Sequence, residues 1–155
     1  MRRIMDFNRV GILSGLLAAF VGLAGCGGPE NVGRVTGVVT LNGAPLPGAV
    51  VKFQPQPNGS PSAAVTDDSG RYTLRYTRDA EGAEIGEHLV SISTFSKGDP
   101  DAEPPRPAVP EQVPPHYNTQ SSLTASVKAG SNQFDFQLDA KGPVVQPSAD
   151  SAGRR

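Results

Sequence analysis

Tryptophan is missing from this chain, cysteine occurs once and histidine twice. A lone cysteine excludes an intrachain disulfide, so any fold must rest on its apolar core. Zinc takes three or four nitrogen, sulfur or carboxylate ligands, and two histidines with one thiol leave little to build such a site. The lack of tryptophan removes the residue most used to stack against sugars. Charge of one sign is also lacking. The chain of 155 residues carries 14 basic and 15 acidic side chains, for a net charge of −1. The basic residues do not cluster, which argues against a nucleic-acid partner. Beyond the N-terminal segment no ten-residue stretch shows a helical 3.6 period. No apolar run is long enough to span a bilayer. The longest, Val10 to Leu23, is fourteen uncharged residues, about 21 Å as a helix against a hydrocarbon core of roughly 30 Å.

That run is flanked in a telling way. Arg2, Arg3 and Arg9 precede it, offset only by Asp6, and Leu23-Ala24-Gly25-Cys26 closes it. A basic start, a short apolar stretch and small residues form the three parts of a secretory signal. An ordinary cleavage site needs no cysteine. Leu23, Ala24, Gly25 and Cys26 together resemble the lipobox of bacterial lipoproteins. The resemblance implies a signal peptide over 1–25, its helix removed on export. It also implies a diacylglycerol on the Cys26 thiol, with acyl chains of the palmitate kind, and a mature protein beginning at Cys26. Membrane lipid is then the first expected partner. Gly27 follows in place of the aspartate associated with inner-membrane retention, so the expected location is the cell envelope, at the outer membrane or cell surface.

The remainder divides by composition. Residues 26–33 are a Gly-containing spacer. From Arg34 the chain alternates short Val-, Thr- and aromatic-rich runs with turn residues, which predicts strands. Arg34–Leu41 precedes Asn42-Gly43, a dipeptide suited to positive φ. Ala49–Gln54 follows the bend Ala44-Pro45-Leu46-Pro47-Gly48. Ala63–Thr66 and Arg71–Tyr76 flank Asp67-Asp68-Ser69-Gly70, and Glu87–Phe95 makes a fifth strand. Leu123 to Val127 and Phe134 to Leu138 complete seven. Between the fifth and sixth lies an insert over 96–116, with seven prolines from Pro100 to Pro115. Residues 140–155 are small and polar and are expected to form a disordered tail. Seven short strands with evenly spaced turns suggest an all-β sandwich over 34–139.

Three segments sharpen that expectation: Val35-Thr36-Gly37-Val38-Val39, Gly43-Ala44-Pro45-Leu46-Pro47-Gly48-Ala49, and Thr66-Asp67-Asp68-Ser69-Gly70-Arg71-Tyr72. In this order they resemble the carboxypeptidase regulatory-like domain, whose motifs read G-x-V, G-x-P-L-x-G-A and T-D-x-x-G-x-Y. The resemblance covers about Arg34 to Leu138 and implies a seven-stranded transthyretin-like (prealbumin-like) Greek-key β-sandwich. Pro114-Pro115-His116-Tyr117 matches a P-x-x-Y stretch of small planctomycete-type lipoproteins carrying this domain. The Pro-rich insert departs from the family pattern. The peptidase itself is not implied, because its catalytic groups belong to a separate domain.

Candidate sites are few. Asp67, Asp68 and Ser69 could begin a calcium loop, but no alternating acids or closing glutamate follow. The expected role is a turn in which Asp67 accepts backbone N–H groups and Gly70 takes positive φ. His88 and His116 lack partners for a metal site, and no serine sits in a nucleophile elbow. No metal, cofactor or catalytic residue is therefore expected, and the chain reads as not an enzyme. Phe53, Tyr72, Tyr76, Phe95, Phe134 and Phe136 alternate along strands and are expected in the core, not on a sugar-binding platform. The expected role is structural, through contacts with other envelope proteins, with carbohydrate or peptide binding as the alternative. A hydrolase of the transthyretin-like kind would end in Tyr-Arg-Gly-Ser, whereas this chain ends Ser151-Ala152-Gly153-Arg154-Arg155.

Overall fold

The computed structural model describes residues 31–147. The signal segment, the lipobox Leu23, Ala24, Gly25 and Cys26, and residues 148–155 lie outside the described residues. Those described form two β-sheets, and their one helical element is a 3-10 turn over Pro115–Tyr117.

The first sheet is organised by β1 (Val32–Leu41), whose ten residues bury Val35 and Val39 on one face. Three short strands pair antiparallel along one side of it: β2 (Ala44–Pro45), β5 (Arg71–Thr73) and β6 (Ala83–Glu84). Along its other side β9 (Ser131–Gln133) and β10 (Phe136–Leu138) run parallel. The second sheet is made of β3 (Val50–Pro55), β4 (Ser62–Val65), β7 (Gly86–Ser93) and β8 (Leu123–Val127). Its order is β4-β3-β7-β8, antiparallel throughout. Alternation decides which side chains meet between the sheets. Val51 and Phe53 of β3, Val90 and Ile92 of β7, and Ala125 and Val127 of β8 join Val35, Val39, Tyr72, Leu74 and Leu138 in one buried cluster. The architecture is that of a β-sandwich.

Among the described residues ten strands stand where seven were expected, for two reasons. The Ala44–Gly48 bend and the polar stretch before Gly86 each touch β1 for two residues, too briefly to leave an apolar pattern. The chain before the expected Phe134–Leu138 strand, read as a turn over Lys128–Asn132, also pairs as β9, and only Phe136–Leu138 of that strand forms. Where the backbone between them should continue the ladder, the Asp135 carboxylate accepts the Val38 N–H at 2.9 Å, so β9 ends and β10 begins around it.

Gly37 explains how closely the strands pass at that break. A Cβ there would lie 1.8 Å from the Phe134 carbonyl oxygen and 2.9 Å from the Tyr72 ring. The Tyr72 hydroxyl donates to that same carbonyl at 2.7 Å. Burial, aided by Asp135, pushes the Tyr72 hydroxyl well above its ordinary pKa. Phe136 stacks on the Tyr72 ring with centroids 6.4 Å apart, and Phe53 packs against Phe134 and Phe136 as tilted and edge pairs. Tyr76 and Phe95, expected in the core, are only half-buried. β5 ends at Thr73, and the Tyr76 hydroxyl instead donates to Glu84 at 2.8 Å.

The strand directions sort the turns to two ends. At the end where β1 begins lie the loops 56–61, 76–85 and 128–130. The register Val32↔Glu84 and Arg34↔Ser131, and the Gln56 N–H bonded to Glu87, place them together. At the opposite end lie Asn42-Gly43, the Asp67–Gly70 turn, the Pro-rich insert and the chain after Leu138.

Candidate functional site at the Pro-rich insert

Two carboxylates organise that second end. Asp67 does so locally. Its Oδ1 accepts the Ser69 N–H at 2.9 Å, the Ser69 hydroxyl at 2.7 Å and the Arg71 N–H at 2.9 Å. Gly70 takes φ 74°, and a Cβ there would lie 2.4 Å from the Val39 carbonyl oxygen. Hydrogen bonding, the Ser69 hydroxyl foremost, holds the Asp67 carboxyl below its ordinary pKa. This is the turn expected from the sequence. The preceding residue adds a buried staple: the Thr66 hydroxyl donates to Leu46 O at 2.6 Å and accepts Ala49 N–H at 2.8 Å, closing the Leu46–Ala49 bend.

Glu111 acts over a longer range. The insert leaves β7 as an antiparallel ribbon, with Ser96 facing Val109 and Asp99 facing Arg106 in reciprocal backbone hydrogen bonds. It then returns through Glu111, which is 4% exposed. Oε2 accepts the Ser93 hydroxyl at 2.5 Å. Oε1 gathers Thr94 N–H at 2.9 Å, and Thr94 Oγ1, Gln112 N–H and Val113 N–H, each at 3.0 Å. Burial pushes this carboxyl up, but the hydrogen bonds from Ser93, Thr94 and Val113 outweigh it and hold the group below its ordinary pKa. Both oxygens are committed to the protein itself. The group is a clamp that ties the insert to the end of β7.

The backbone of Glu111 is engaged as well. Its N–H donates to the Gln146 side-chain oxygen at 2.8 Å, and its carbonyl accepts the Gln146 amide at 2.9 Å. Gln146 falls in the stretch expected to be tail, yet it completes a two-bond pairing of the kind one strand offers another. Between the insert, this stretch and the outer face of the second sheet runs an open groove of about 310 Å³. Lys52, Ser91 and Ser93 line it from the strands, Glu111 from the insert, Asn118 and Thr119 from the chain just after it, and Val145 and Pro147 from the C-terminal stretch. The lining suits a short polar or extended segment. Beside it, Val50 and Val65 face each other across β3 and β4 and are 39% and 63% exposed. A second shallow groove, about 290 Å³, crosses β5, β1 and β9 over Arg71, Thr73, Thr36 and Gln133.

The two histidines are far apart in role. His88 is buried against Phe53, and its Nε2 lies 2.8 Å from the Glu84 carbonyl oxygen, so that nitrogen carries the proton. Its Nδ1 and the Ser62 hydroxyl are buried with no hydrogen-bond partner among the described residues. His116 is exposed beside Tyr117. Among the described residues no group of three or more His, Cys, Asp or Glu is placed to hold a metal ion. Among them, too, no helix is long and apolar enough to cross a membrane.

Sequence reasoning located the Asp67 turn but missed Glu111 and Gln146. The available signal was slight: an acid between Val109 and Val113 in a run stiffened by proline, where solvation would be expected to favour an exposed side chain. No protein-family model matches this chain, and no curated protein is similar to it.

Proposed function

We propose that this chain is an exported lipoprotein, anchored through lipid on Cys26, that displays a non-catalytic β-sandwich as an interaction module at the cell envelope. The observation that carries the reading is Leu23-Ala24-Gly25-Cys26 at the end of a short apolar run that follows three arginines. Two or three acyl chains are needed for stable anchoring, one chain being marginal. The carboxypeptidase regulatory-like, transthyretin-like identity of the sandwich is part of the proposal. The three motif segments support it, as does the arrangement of the described residues in two packed β-sheets. Partner binding is assigned to the second sheet's outer face, where the exposed Val50–Val65 pair adjoins the polar groove. Gly27 supports residence at the outer membrane or cell surface.

The test is in-cell crosslinking of the tagged protein, wild type beside Cys26→Ser. The reading expects one dominant envelope protein captured by the wild type, and loss of both membrane fractionation and capture in the variant. Membrane retention of Cys26→Ser would contradict the anchor. A second reading, capture of a sugar or peptide, is favoured by the hydroxyl and amide lining of the groove. It expects a thermal shift with a soluble glycan or peptide, abolished by a bulky residue at Ser91.

A further inference from the structure

Resting on the Cys26 anchor, we propose an orientation: the end of the sandwich formed by loops 56–61, 76–85 and 128–130 lies against the bilayer headgroups. The insert, the Asp67 turn and the groove then point away. The carbonyl of Asn31 accepts the Ile85 N–H at 3.0 Å, and the Arg34 N–H is held by the Gly130 carbonyl at 2.8 Å. The chain is thus pinned to the sandwich at its fifth residue beyond Cys26. Five residues extend at most about 18 Å. The ten residues of β1 span about 33 Å at 3.3 Å each. If the opposite end faced the lipid, Asn31 would sit farther from the surface than the tether can reach, so an inverted stance is excluded by length alone.

The surface of the near end agrees with close apposition and not with insertion. Ile85 is exposed there, beside the Arg34–Glu81 ion pair at 3.3 Å. The chain at that end also carries Arg75, Arg78 and Lys128 and, in equal number, Asp79, Glu84 and Glu87. A charge-balanced end with one exposed aliphatic residue has little attraction for anionic lipid of its own, so the tether sets the stance. The far end carries every segment that departs from a plain sandwich, which places the insert and the groove within reach of partners in solution or on another surface.

Because Cys26 is alkylated in the lipidated protein, an introduced thiol can be labelled alone. Asn58→Cys and Ala129→Cys mark the near end, and Asp68→Cys and Asp101→Cys the far end. All four carry the same fluorophore in full-length lipidated protein reconstituted into phosphatidylcholine vesicles with a headgroup-attached nitroxide quencher. The orientation expects quenching at positions 58 and 129 several-fold above that at 68 and 101. Equal quenching at both ends would show the sandwich lying flat and overturn the orientation while leaving the anchor intact. An intact mass without lipid on Cys26 would overturn the anchor and the orientation together.

Discussion

Asp67 and Glu111 perform the same chemistry in two settings. Each is a carboxylate that collects backbone N–H and hydroxyl donors and thereby shapes a loop, and each is held below its ordinary pKa. Asp67 draws its donors from the next four residues and stays in water. Glu111 reaches back 17 and 18 residues to Thr94 and Ser93 and is buried. A solvated clamp can be lost with water taking its place, whereas a buried one leaves donors that nothing else can satisfy. The turn is therefore locally determined and tolerant. The insert is globally determined and brittle.

Removing the buried clamp should have the largest effect. Glu111→Ala strands the Thr94 and Val113 N–H groups, and a cost of about 3–5 kcal/mol is expected from two buried donors and the lost charge-assisted bonds. Urea unfolding should show it, together with faster proteolysis between Ser96 and Val109. Gly37→Ala sharpens the comparison with a long-range contact that involves no charge. Its Cβ would displace the Phe134 carbonyl and break the Tyr72 hydrogen bond, for roughly 2–4 kcal/mol, read in the same unfolding assay. Unlike the Glu111 effect, this one should not change with pH.

Acid separates the two clamps from the rest. Unfolded Glu and Asp titrate near about 4.3 and 3.9, and both groups lie lower in the folded protein. Their stabilisation is then complete above those values and is lost as pH falls below about 4 through the folded values. Glu111→Gln and Asp67→Asn should each flatten the acid limb of the stability–pH curve, and an unchanged limb would contradict the clamp assigned to that carboxylate. The smallest effect is expected at Gln146→Ala. It removes two amide hydrogen bonds at the surface, about 0.5–1 kcal/mol, and should raise hydrogen exchange at the Glu111 amide with little change in global unfolding.

What the sequence discloses follows the same division. Strand periodicity is legible because Val35, Val39, Val51, Phe53, Val90 and Ile92 must alternate to fill the space between the sheets. The Asp67 turn is legible because all its partners lie within four residues. The break between β9 and β10 was not, since it depends on Asp135 meeting Val38 across 97 positions. Tyr76 was misassigned to the core because a period of two was carried past Thr73, where pairing with β1 ends. Glu111 and Gln146 were illegible for the plainest reason. Their partners are chosen by the fold, and a proline-rich composition advertises stiffness without saying where the stiff segment lands.

The proposed anchor rests on one sulfur atom, and the intact mass of the protein purified from cells tests it most directly. The expected result is a chain beginning at Cys26, heavier than its sequence by a diacylglycerol with or without a further acyl group. A chain that begins elsewhere, or a Cys26 bearing no lipid, would contradict it.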